Sequence, residues 1–236
     1  MEQFKLGTDK KVINMPSGWH DVPYYKGVQI FESELNDVEK LALLSDSNVD
    51  DIRNATDTES IFYLMSAFTF LRQAPRGLES PQIPNSINLN GNHIIFPHVI
   101  HGDKFDLGNA SVGQIKDMEM VLVNMGTEFR EDEEEENQDR PFTEMETIKM
   151  CPPICAIYIQ KIIDKEYDYE KAMKLSDEIS QYLSFKEVLN IGYFFFKKLI
   201  DLSDGKTKDL QNHLSITRKL RRGLMHLMNR LGLTLR

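Results

Sequence analysis

Ser86-Ile87-Asn88-Leu89-Asn90-Gly91-Asn92-His93-Ile94-Ile95-Phe96 decides the fold class. Two short apolar runs flank an Asn-Gly pair, the dipeptide that best accepts the positive φ angles of a two-residue hairpin turn. An antiparallel β-hairpin is therefore expected here, with Phe105-Asp106-Leu107 as a further extended piece placed to pair with it. At the start of the chain, Phe4-Lys5-Leu6 and Lys11-Val12-Ile13-Asn14-Met15 surround the turn residues Gly7-Thr8-Asp9 and read as a second short hairpin. The two are expected to contribute to one small antiparallel sheet.

Outward from the hairpins the apolar spacing changes from two to three and four, the signature of helices. Before the hairpin, Val22, Gly27-Val28, Ile30-Phe31 and Leu35 form one such pattern. Val38, Leu41, Ala42 and Leu44 follow after an Asn36-Asp37 break. Thr56-Asp57-Thr58-Glu59 supplies oxygens for the orphan amides of a further helix, which carries Ile61, Leu64, Met65, Phe68 and Leu71 and stops before Pro75 and Gly77. After the hairpin, Ser111-Val112-Gly113-Gln114 is a capping box opening a helix through Met125. The pattern from Met145 to Ile162 must kink or split at Pro152-Pro153, where the ring removes a donor and crowds the preceding turn. Two more helices are expected, Tyr169 to Leu183 and Val188 to Leu202. The second opens at the capping box Ser184-Phe185-Lys186-Glu187, and Phe194, Phe195 and Phe196 place it at the centre of a core. The fold class is α+β, mostly α-helical with a small antiparallel sheet or hairpin. The expected organisation is a single mainly helical domain over 1–205 (helices in 21–74, hairpin region 84–107, helices in 111–205), followed by a basic tail over 206–236.

Charge is divided unevenly along the chain. Residues 206–236 carry eight Lys/Arg against Asp209 alone, so with −9 over the whole chain the first 205 residues total about −16. A basic terminus of this kind is suited to an acidic target: nucleic acid, a membrane surface, an acidic partner, or the protein's own body. Between Glu128 and Asp139 lie eight acids and one Arg, with no apolar residue after Phe129. Such a run cannot bury surface and is expected as a mobile loop over 128–140, either simply solvated or a docking place for the basic tail.

Chemistry-bearing residues are few. Cys151 and Cys155 sit within an apolar helical pattern and are expected as core thiols. His93, His98, His101, Asp103 and Asp106 crowd one stretch. However, His98 and His101 point to opposite faces of an extended segment, so no metal is expected. There is no nucleophile elbow, no phosphate-cradling glycine loop and no dinucleotide fingerprint. Neither an enzyme nor a cofactor is expected. Residues 1–12 are polar and charged rather than leader-like. The apolar run near Ile191 to Ile200 is interrupted by Lys197 and Lys198 and is too short to span a bilayer. A soluble protein with no membrane association is expected.

The tail carries the candidate binding residues. Leu210, Leu214, Leu220, Leu224, Leu227, Leu231 and Leu235 advance mostly by threes and fours, making one apolar stripe, while Arg218, Lys219, Arg221, Arg222 and Arg230 supply charge. Arg218, Lys219, Leu220, Arg221, Arg222, Leu224, Leu227, Arg230 and Leu231 are the expected partner contacts. The stripe fits a terminal helix packed on its own domain, a partner-binding helix, or a nucleic-acid contact. No aromatic residue follows Phe196, which counts against stacking on single strands.

Two passages resemble a known group. Met15-Pro16-Ser17-Gly18-Trp19-His20-Asp21-Val22 resembles the Pro-x-x-Trp-x-(Asp/Glu)-(Val/Ile) opening of small proteins from the tail and virion-assembly regions of tailed bacteriophages. Phe105-Asp106-Leu107, followed by Ser111-Val112-Gly113-Gln114-Ile115-Lys116-Asp117-Met118-Glu119, is similar to a hairpin-then-(Ser/Thr)-x-Gly-Gln-x-x-Asp-x-Glu passage of the same proteins. The resemblance implies a non-enzymatic tail assembly chaperone or structural component. Its implied partner is a phage structural protein such as a tape-measure or hub protein, and its implied location is the host cytoplasm or the virion. It brings no catalytic residues with it.

Overall fold

A computed structural model describes residues 2–6, 11–56, 58–72, 80–103, 106–130 and 140–204. Its elements, in chain order, are β1 (Glu2–Leu6), β2 (Lys11–Met15), α1 (Tyr24–Glu32), α2 (Asp37–Ser45), α3 (Val49–Arg53), α4 (Thr58–Leu71), β3 (Ser86–Leu89), β4 (Asn92–Ile95), α5 (Val112–Glu128), α6 (Glu144–Lys149), α7 (Cys151–Asp164), α8 (Tyr169–Tyr182) and α9 (Phe185–Asp204). The α+β, mainly helical class is observed. The single sheet is not, because β1–β2 and β3–β4 form two separate two-stranded antiparallel sheets. Nor does the Phe105-Asp106-Leu107 piece add a strand: Phe105 lies outside the described residues, and Asp106 and Leu107 sit in a loop of turns.

The chain groups into two compact units, 1–76 with 184–186, and 77–183 with 187–236. In the first, Ile13, Met15, Leu41, Ala42, Ile52, Leu64 and Ala67 form the apolar core. Trp19 is only 6 % exposed. Its ring lies 5.6 Å from Phe31, 5.5 Å from Phe70 and 5.3 Å from Phe185. Phe185 comes from far along the chain and is tied in by its amide, which donates to the Val22 carbonyl at 2.7 Å. Its ring lies where a Cβ at Gly27 would stand, 2.2 Å away, so α1 can approach only as glycine. Asn36 and Glu39 form a reciprocal capping box that starts α2. The buried Lys26 ammonium closes the other end of α2, donating to the Leu44 carbonyl at 3.4 Å and pairing with Asp46 at 2.7 Å. A cation there offsets the partial negative charge of the helix terminus.

The second unit is built on α7 and on α9 beyond Lys186. The apolar pattern through Met145–Ile162 does split at the prolines: Met150 ends α6 and precedes α7, whose first turn holds Pro152 and Pro153 where no amide donor is needed. Residues 154–160 are all buried, as are 191–196 and 198–200. The two helices meet at Gly192, where a Cβ would stand 2.6 Å from Cys151 Sγ and 3.1 Å from its Cα. Only a glycine lets the backbones come that close. Phe194, Phe195 and Phe196 are all buried here. At α5 the expected capping box forms between Ser111 and Gln114. The buried Gln114 amide also donates to the Ile157 carbonyl at 2.6 Å, fastening α5 to α7. Among the described residues no helix is long and apolar enough to cross a membrane.

Candidate functional site

The β3–β4 hairpin turns as expected at Asn90 (φ 50°) and Gly91 (φ 80°). The pairing is Leu89 with Asn92, Asn88 with His93, Ile87 with Ile94 and Ser86 with Ile95. A two-residue turn makes the flanking pair hydrogen-bonded, and bonded and non-bonded pairs then alternate. The Phe96 amide donating to the Asn85 carbonyl at 2.9 Å continues that alternation. Ile94 therefore directs its backbone groups to β3, whereas His93 and Ile95 direct theirs away, onto an edge that no other described strand covers.

Beside β4 lies a groove of about 640 Å³ lined by Leu89, Asn92, His93, Ile94, Ile95, Ile162, Ile163, Leu175 and Glu178. Six of the nine are aliphatic. Ile95 is 69 % exposed and Ile163 45 %, so apolar surface is left facing solvent beside a concavity, the pattern of a recognition site rather than of a closed core. The only formal charge in the lining is Glu178, which makes no ion pair among the described residues. In the first unit a smaller concavity of about 240 Å³ lies against α4 beside Met15 and Phe70. On α4 itself Ile61, Phe62 and Met65 are exposed.

The histidine- and aspartate-rich stretch is mostly a loop anchor. Asp106 accepts the amides of Ile100 at 2.5 Å and Gly108 at 2.9 Å. Those bonds favour the carboxylate and hold its pKa below the ordinary value. The buried Lys198 of α9 donates to the Asp103 carbonyl and lies 5.1 Å from the Phe194 ring centroid. Burial lowers its pKa, against the opposing pull of Asp106. His101 meets Phe194 edge-on at 6.1 Å, and Tyr158 donates to the Gly108 carbonyl at 3.1 Å. Among the described residues no three His, Cys, Asp or Glu side chains come together as metal ligands. His93 stands apart from this loop, in the groove lining. Cys151 and Cys155 are free and buried, and burial pushes both thiols up, away from thiolate chemistry.

The expected partner contacts Arg218, Lys219, Leu220, Arg221, Arg222, Leu224, Leu227, Arg230 and Leu231, and most of the acidic run, lie outside the described residues. The groove itself escaped sequence reasoning, because it joins residues 89–95, 162–163 and 175–178. One signal pointed to it: Ile94-Ile95-Phe96 breaks the alternation of a one-faced strand, so one of the three must face outward. Comparison of the chain with protein-family models, curated proteins and solved structures found no match.

Proposed function

We propose that this protein is a non-enzymatic assembly factor that works by binding another protein. The observation that carries the reading is the open aliphatic groove beside β4, with Ile95 and Ile163 left exposed on its rim. Burying one such side chain is worth about 1.5–3 kcal/mol, so a few of them suffice for a specific contact. The bacteriophage setting, with a tape-measure or hub protein as the bound chain, rests on the resemblance over 15–22 and 105–119. The basic tail supplies a second contact or, in the alternative reading, holds nucleic acid: its surplus of seven positive charges is the one observation that favours a polyanion.

Co-expression with any large, mainly helical protein encoded by a neighbouring gene tests the reading. A stoichiometric complex that survives high salt is the expected result. Within it, Leu220→Ala with Leu227→Ala weakens the complex, and changing Arg218, Lys219, Arg221 and Arg222 to Gln mainly slows association. If no protein co-elutes and the chain instead retains polynucleotide with an affinity that falls steeply with salt, the nucleic-acid reading replaces this one.

A further inference from the structure

We propose that the groove binds its partner by strand addition: an extended segment of the partner pairs with the outer edge of β4 and lays alternate apolar side chains among Ile95, Ile163 and Leu175. This deepens the assembly-factor reading and rests on it. Two observations select an extended strand over a helix. The lining takes all four consecutive residues of β4 but only Leu89 of β3. A cavity on the face of the hairpin would be lined by every second residue of both strands, so this one follows the edge. On that edge the amides and carbonyls of His93 and Ile95 point outward by the hairpin register and have no partner among the described residues.

Such a row of donors and acceptors matches another strand in both direction and spacing, which a helix with its backbone satisfied internally cannot match. The edge is four residues long, about 13 Å at ~3.3 Å per residue. An edge this short does not recruit strands indiscriminately, so the flanking aliphatic side chains must supply much of the selectivity. Among the described residues Glu178 is the only charge in the lining and makes no ion pair, which adds a Lys or Arg to the preferred segment.

The test uses the full chain and a displayed library of random heptapeptides, with the enriched peptides then synthesised. Enriched sequences that alternate apolar residues and include a cation, and that slow hydrogen exchange at the His93 and Ile95 amides, are the expected result. Ile95→Pro removes an outward amide while leaving the ladder to β3 intact, and should weaken binding at least tenfold with little change in the unfolding midpoint. If that variant does not fold, the same peptide N-methylated at its edge-facing residues gives the same readout on the wild-type chain. Glu178→Lys should remove the preference for a cation.

Binding that is indifferent to both Ile95→Pro and N-methylation would overturn strand addition. So would protection of the two amides by self-association, which makes a second copy the occupant. If the library yields no binder while the co-expressed structural protein still co-elutes with Ile95→Pro, strand addition fails and the assembly-factor reading survives. If the wild-type chain binds no protein at all, the reading beneath it fails as well.

Discussion

The α7–α9 crossing and the β4 edge, both in the second unit, are opposites. At the crossing the space between the helices is filled: Gly192 lies against Cys151 with no room for a methyl group, and Phe194, Phe195 and Phe196 are all buried. At β4 backbone donors and acceptors point outward, and Ile95 stands 69 % exposed beside a groove. A packed interior has no free energy left to offer a ligand, whereas unsatisfied edges and exposed aliphatic groups do. The difference separates the part of this unit that holds the fold from the part available for recognition.

Substitutions can break that contrast in either place. The largest effect is expected for Gly192→Leu, which must push α7 and α9 apart. Overpacking against backbone puts the cost at about 3 kcal/mol or more, read as a fall in the denaturant midpoint or loss of the folded protein. An unchanged midpoint would show that the crossing yields.

Glu146→Gln comes next. Burial opposes the charged form of Glu146, but the Arg140 guanidinium, bonded at 2.6 and 2.8 Å, and the Thr143 amide at 2.6 Å outweigh it and lower its pKa. A carboxylate whose pKa is lower folded than unfolded stabilises above its unfolded pKa, near the ordinary glutamate value of 4.5. That contribution fades as pH falls through the folded value. The variant should lose about 1.5–3 kcal/mol at neutral pH, and its stability should fall less steeply than that of the wild type below pH 4.5. Acid titration of the two unfolding midpoints checks this.

Gly91→Val should cost about 1 kcal/mol, because its φ of 80° suits glycine and resists a β-branched side chain. The same change should loosen the β4 edge and weaken partner binding along with stability. Smallest of all, Ile95→Ser should leave the midpoint within about 0.5 kcal/mol, since the side chain it trims is exposed, while lowering partner affinity. A stability loss comparable to that of Gly91→Val would place Ile95 in the core and erase the contrast.

Elements whose cause is local were legible in the sequence. The Asn90-Gly91 turn, the Ser111–Gln114 box and the split at Pro152-Pro153 each follow from a few adjacent residues. Trp19 lies buried just before the first helix. Its partner Phe185 was not foreseen, because nothing local ties residue 185 to residues 19–31. The short α3 and the Asn36–Glu39 and Thr143–Glu146 capping boxes went unread among many similar polar residues. The separation of the two sheets and the groove both depend on which distant segments meet. The charge of the tail was plain in the sequence, but residues 205–236 lie outside the described part of the molecule.

The second unit is proposed to bind protein in the groove along β4. Hydrogen exchange on the full chain, free and in complex with any protein found to co-elute with it, tests this. Slowed exchange is expected at residues 92–95 and 162–163, with the α7–α9 crossing already protected in the free chain and unchanged by the partner. A complex that protects residues elsewhere and leaves 92–95 exchanging as in the free protein would contradict it.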